Sequence, residues 1–279
     1  MSLDISKVLG ESLERAFSRN GLILMTGVYL ATLIGMIGFS SAMVDSLDSF
    51  WQELVAENPE FADLFDGPEE LLPLALDLPS SVSLLLVLTS IVASVVLLAV
   101  AIRVFHADLR DELPAEIVFD NLAWVAVNLF VGGIIFGIFW ILGLILLIIP
   151  GIVIFVFLIY YLAAIAVEDR NFIDGFARSV SVTRGQRIKV FLLFLAVFVI
   201  SFAVGITFGL VGAFAHFVEP VLGELIELIA QTILTVYFAA VVAVSYQQLT
   251  APDQSAETKA DAEEDFFEEF TPASQSTQW

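Results

Sequence analysis

Residues 121–167 read NLAWVAVNLFVGGIIFGIFWILGLILLIIPGIVIFVFLIYYLAAIAV, 47 positions without one Asp, Glu, Lys or Arg. About 20 apolar residues carry a helix across a hydrocarbon core of about 30 Å. The stretch is too long for one span and long enough for two. The break must fall at Gly143 or at Pro150-Gly151. A residue before proline is driven out of the helical region, and proline suits a first helical turn. The sequence therefore favours one span over 121–148 and the next over 150–167. A turn between them in the outer leaflet needs partners for its backbone groups within the protein.

Four further apolar stretches flank this pair, at about 21–43, 81–102, 190–214 and 225–249. The segments between spans alternate in charge. Lys7, Arg15 and Arg19 precede the first span, and Arg103 and Arg110 follow the second. Arg170, Arg178, Arg184, Arg187 and Lys189 separate the fourth from the fifth, and Lys259 follows the sixth. Segments 44–80, 143–150 and 215–224 hold no Lys or Arg. Such an excess in alternate loops marks the cytoplasmic side. The sequence predicts an all-α, polytopic protein of the cell membrane with six transmembrane helices, both termini cytoplasmic, and interfacial amphipathic helices. The first span is expected to act as an uncleaved signal anchor, because no apolar core precedes it and no small-residue cleavage pattern follows.

The composition narrows the function classes. The net charge is −21, and 59% of residues are hydrophobic. An acidic balance excludes nucleic acid as a partner, since phosphate binding needs a basic footprint. Low Lys, abundant Asp and Glu and no Cys are similar to the composition of proteins from salt-loving archaea. Without Cys there is no disulfide and no thiolate metal site. No HExxH, P-loop or GxSxG pattern occurs. His106 and His216 are expected at opposite faces of the membrane, which disfavours a histidine-based catalytic site. No catalytic residue, cofactor site or metal site is assigned, and the chain is not expected to be an enzyme.

Several segments carry candidate sites. Leu3, Ile5, Val8, Leu9, Leu13 and Phe17 share one face of a lead-in helix over 1–20. That helix either lies in the interface or packs on the bundle. Segment 44–80 is an acidic outer loop in which short amphipathic helices are expected. Asp63, Asp66, Glu69 and Glu70 there lack the ligand ladder of an EF-hand. The tail 250–279 is acidic, and its Phe266, Phe267 and Phe270 form a candidate docking motif for a cytoplasmic protein partner. Arg103 and His106 are expected to snorkel at the inner interface. Glu227 is the one acid inside a proposed span; with Gln231 and Thr235 it makes a polar stripe. Asn121 and Asn128 on span three complete the candidate intramembrane polar set. The pairs Gly133-xxx-Gly137 and Gly205-xxx-Gly209 are read as favouring helix packing within the chain.

The most distinctive stretch runs on from the opening one, through EDRNFIDGFARSVSVTRGQRIK at 168–189. An apolar hairpin with Pro150-Gly151 leads into a span. An acidic pair, Glu168-Asp169, follows, then a helix bearing Gly175, Arg178 and Ser179, then an Arg184-Gly185-x-Arg187 exit. This pattern resembles the superfamily of six-span membrane proteins that includes the membrane domain of certain glycerophosphodiester phosphodiesterases. The resemblance implies the six-span layout over about 1–249 and little more. In those phosphodiesterases hydrolysis belongs to a separate barrel domain with metal-binding carboxylates and histidines, which this chain lacks.

Beside that resemblance, Phe172, Ile173, Phe176 and Val180 define an apolar face on an interfacial helix. Each Lys or Arg near an anionic leaflet is worth about 1 kcal/mol of attraction. Glu168, Asp169, Arg178, Ser179, Arg184 and Arg187 are thus the candidate lipid or partner site, with Glu168 and Asp169 capping the helix or pairing with Arg178. The expected function is a non-enzymatic scaffold or lipid-interacting membrane protein. The alternative is a small-solute transporter or channel with a polar path near Glu227.

Overall fold

A computed structural model describes residues 3–58 and 72–251. The tail motif Phe266, Phe267 and Phe270 and the loop acids Asp63, Asp66, Glu69 and Glu70 lie outside the described residues. The described residues contain helices and no strand.

The helices are α1 (Ile5–Ala16), α2 (Arg19–Glu57), α3 (Ser80–His106), α4 (Ala115–Phe119) and α5 (Leu122–Leu146). They continue with α6 (Ile148–Leu158), α7 (Tyr161–Glu168), α8 (Phe172–Val182), α9 (Arg187–His216) and α10 (Pro220–Thr250). Six segments are long and apolar enough to cross a membrane: Arg19–Val44, Ser80–His106, Leu122–Leu146, Ile148–Glu168, Arg187–His216 and Pro220–Thr250. The fourth joins α6 and α7 across a turn at Ile159 and Tyr160.

The spans form three antiparallel hairpins, α2 with α3, α5 with α6–α7, and α9 with α10. α10 sits at the centre, against α1, α2, α3 and α9. Its apolar window is 67% buried, against 22% for α2, α3 and α9. Small residues explain this place: Ala239, Ala240, Ala243 and Ser245 let neighbouring helices close around it. The ends of the helices sort the charges. Arg15, Arg19, Arg103, Glu168, Arg178, Arg187 and the last turn of α10 gather at one end, the basic end. The opposite end carries the α5–α6 turn and the α9–α10 turn.

Two boundaries differ from the sequence expectation. The break in the uncharged stretch is Leu147, a single extended residue at φ −169°, ψ 149°. Pro150 lies inside the first turn of α6, where its missing N–H costs nothing. Gly143 and Gly151 close the hairpin: a Cβ on Gly143 would stand 2.9 Å from the Gly151 Cα. The turn is a tip of aliphatic side chains, Ile145 to Ile149, each more than two-thirds exposed or at that mark. Second, α2 does not stop near residue 43 but runs to Glu57, because no Gly or Pro interrupts 44–57 and Pro59 is the first breaker. Of the two placements expected for the lead-in helix, α1 takes the second: it packs on the bundle through Val8, Ser12, Arg15 and Ala16, leaving Leu13 and Phe17 about half exposed.

The glycine pairs also behave differently from expectation. Gly132, rather than Gly133, meets Tyr161 and Phe172 closely, and Gly137, Gly205 and Gly209 face open space. Gly143→Val should drive its branched side chain into the Gly151 backbone and lower stability by about 1–3 kcal/mol. Gly137→Val should leave stability nearly unchanged. Equilibrium unfolding in mixed micelles measures both, and equal effects would contradict the closed hairpin.

Candidate functional site

Membrane-spanning helices end with four carbonyls that have no partner inside the helix. At the basic end, side chains from other helices supply those partners. Arg103, in the last turn of α3, is 7% exposed. Its Nε donates to the Ala166 carbonyl in the last turn of α7. Its Nη1 donates to the carbonyls of Val118, at 3.2 Å, and Asp120, at the end of α4. Its Nη2 meets Asp169 Oδ1 at 2.7 Å. One guanidinium thus satisfies two helix C-termini and one carboxylate, and its charge complements the negative ends of both helices. Arg103 and His106 do not both snorkel: Arg103 turns inward, because these carbonyls offer a planar fork more acceptors than the interface does.

The same logic recurs nearby. Arg15, 6% exposed, donates to the carbonyl of Phe105 at the end of α3 and pairs with Asp108 at 3.3 Å. Asn20 Nδ2 donates to the carbonyls of Leu109 and Glu112, 3.0 Å each. Ser179, fully buried, donates at 2.7 Å to the carbonyl of Phe157, which the break between α6 and α7 leaves free. Asn128 Oδ1 accepts from the Phe172 N–H in the first turn of α8 at 3.1 Å.

Glu168 forms the second hub. Its carboxylate accepts from Arg170 Nε, from Arg178 Nε at 3.0 Å, and from the hydroxyl of Tyr246 on α10. Burial alone would lower the pKa of Arg178; hydrogen bonds to Tyr246 and Glu168 outweigh it and hold the guanidinium above the ordinary arginine value. A small cavity of about 180 Å³ opens beside Arg103, walled by His106, Glu116, Asp120, Val167 and Asp169.

The structure separates the sequence-predicted residues into groups. Glu168, Asp169, Arg178 and Ser179 come together, but as an internal clasp. Asp169 pairs with Arg103, not Arg178, and sits in the left-handed region at φ 51°, ending α7. Neither acid caps α8; Asn171 does, accepting from the Asp174 N–H at 3.0 Å. Phe172 and Phe176 pack on the core, whereas Ile173 is 65% exposed. Arg184 and Arg187 lie past the clasp, where Gly185 turns the chain into α9 at φ 84°. Arg184 is exposed, and Arg187 stacks over the Phe157 ring at 4.2 Å.

Asn121 and Asn128 are both near the basic end, one at the N-cap of α5 and one holding α8. Glu227 and Gln231 lie toward the opposite end of α10, so the intramembrane set does not converge. His106 ends α3 at the basic end and His216 ends α9 at the other. Among the described residues no group of three or more His, Asp and Glu is placed to hold a metal ion.

Residues 3–249 match the family described as Domain of unknown function (DUF7847). The chain belongs to this family. Neither a curated protein nor a solved structure matches it. The matched region covers every described helix but for the final residue Thr250, so the clasp lies wholly inside the family domain.

Arg103, Arg15, Asn20 and Tyr246 were not legible as site residues. Their signal is a polar residue at the end of an apolar span, which also fits simple anchoring. Arg103→Met should strand three carbonyls and Asp169. Because Asp169 is partly solvated, the loss should fall near the low end of about 3–5 kcal/mol. Arg103→Lys should recover only part of it, since an ammonium lacks the fork. Unfolding midpoints of the two variants check this; wild-type stability in Arg103→Met would contradict the clasp.

Proposed function

We propose that this chain is a non-enzymatic, lipid-interacting protein of the cell membrane, with the basic end and both termini in the cytoplasm, that holds anionic headgroups at residues 184–189. The observation that carries this is a division among the cations. Arg15, Arg103, Arg110, Arg170 and Arg178 are tied to carboxylates. The side chains of Arg184 and Lys189 have no hydrogen bond or ion pair among the described residues, and that of Arg187 has only the Phe157 ring. Three cations therefore crowd one turn with no carboxylate paired to them among the described residues. Between them Ile188 is 77% exposed, as a side chain is that enters the lipid interface.

The lipid site is thus narrower than 168–189. Arg178 is spent on the clasp and belongs to the architecture. The acidic tail supplies a docking segment for a cytoplasmic partner in the same scheme. The transport alternative needs Asn121 and Asn128 on one path with Glu227; both asparagines lie near the basic end, Asn121 as the N-cap residue of α5 and Asn128 accepting from the first turn of α8.

Replacing Arg184, Arg187 and Lys189 together by Gln should weaken phosphatidylglycerol binding about a hundredfold, taking about 1 kcal/mol for each cation. Phosphatidylcholine binding should stay unchanged. Native mass spectrometry of lipid titrations reads both, and equal anionic-lipid retention by the variant would remove the proposal. The chain has no Cys, so single cysteines report topology directly. In intact cells an impermeant maleimide should label Val218→Cys and spare Ser181→Cys until lysis. The opposite pattern would reverse the orientation.

A further inference from the structure

The hairpin of α9 and α10 is tight at its turn and open further in. Near the turn, a Cβ on Gly223 would strike the His216 ring, and one on Gly212 would stand 2.8 Å from Glu227 Cγ. Beyond that point the helices part. Gly205 and Gly209 have nothing within 4 Å of a built Cβ. Between the helices lies an open groove of about 540 Å³, lined by Gly205, Gly209, Glu227, Gln231, Thr235 and Phe238 among others.

Glu227, Gln231 and Thr235 are all exposed and stand on one face of α10. Thr235 satisfies its hydroxyl on the Gln231 carbonyl at 2.8 Å. The side chains of Glu227 and Gln231 have no hydrogen-bond or ion-pair partner among the described residues. They lie roughly 10 and 16 Å along α10 from Pro220, within a segment apolar enough to span a membrane. An unpaired carboxyl and an unpaired carboxamide facing hydrocarbon are costly, and such groups find partners.

The spacing decides what kind of partner. Successive polar positions are about 6 Å apart along the helix, so the stripe is too long to converge on one ion. A lipid carries its hydrogen-bonding groups at one end and meets one position. A second helix repeats on the same spacing and meets the whole stripe. The two empty glycine positions, one turn apart on α9, allow that helix a close approach. The stripe is also self-complementary. A copy related by a two-fold axis along the membrane normal places each residue at its own depth, and contacts become reciprocal. The amide of Gln231 both donates and accepts, and the Glu227 carboxyl accepts one helical turn away.

We propose that the α9–α10 groove is a self-association face: α10 of a second copy of this chain packs along Gly205 and Gly209, with Glu227 of each copy hydrogen-bonded to Gln231 of the other. The face is distinct from the headgroup site, so each stands or falls separately.

The chain has no Cys, so Thr235→Cys, on the same face, is a single probe that leaves Glu227 and Gln231 in place. In membranes holding the full chain, oxidation with copper phenanthroline should yield a disulfide-linked dimer. Val127→Cys, 60% exposed on α5, should stay monomeric under the same conditions. Adding Gly205→Leu and Gly209→Leu to Thr235→Cys should fill the groove and cut cross-linking at least tenfold. Those side chains enter open space, so the unfolding midpoint should hold. Equal cross-linking at 127 and 235, or none at 235 in a folded protein, would overturn the proposal. So would a monomer in native mass spectrometry carrying an amphiphile that the leucine variant loses.

Discussion

Every helix entering a low-dielectric slab must satisfy the polar groups at its ends, and Arg103 does this for two helices at once. An unsatisfied buried carbonyl costs about 1–3 kcal/mol. Arg103 meets the carbonyls of Ala166, Val118 and Asp120 and keeps a carboxylate, Asp169, for its remaining N–H groups. The position of α7 relative to α3 follows from that, because Ala166 must come to Arg103. The placement of α8 follows in turn. Asp169 ends α7 in a left-handed residue, the chain reverses, and Ser179 and Asn128 fasten α8 by the loose groups at two more helix ends.

The two ends of the bundle are built on different chemistry. At the basic end, arginine, asparagine and serine side chains close the helix termini. At the opposite end the α5–α6 turn has no such side chains and relies on glycine, Gly143 against Gly151, for a backbone close enough to close the hairpin. The arginines divide accordingly. Those reaching inward hold helices, and those from Arg184 onward have no carboxylate partner among the described residues. A cluster that reads as one basic segment in sequence has two parts, one bound into the clasp and one without a carboxylate partner among the described residues, separated by a single turn.

Much of the fold was legible because hydropathy and Lys/Arg spacing respond to the bilayer directly. The six spans, the two hairpins around the uncharged stretch and the helix over 172–182 follow from that pattern. The exact turn was not legible, because Gly143, Leu147 and Pro150 each satisfy part of what a break requires. The site was half legible. Glu168 and Arg178 pair as their proximity suggests, at 3.0 Å. The Arg103–Asp169 pair crosses 66 residues of sequence, and nothing local marks it. Nor could sequence reveal which glycine pair faces open space, since that depends on how far α9 and α10 diverge.

The central claim is that Arg103 fixes the basic end locally, by holding the ends of α4 and α7. Amide hydrogen–deuterium exchange of Arg103→Lys against wild type tests it most directly. Protection should fall in 115–121 and 161–182 while α9 and α10 near Gly212 and Gly223 keep theirs. Unchanged exchange at 161–182, or a uniform loss across all six spans, would contradict it.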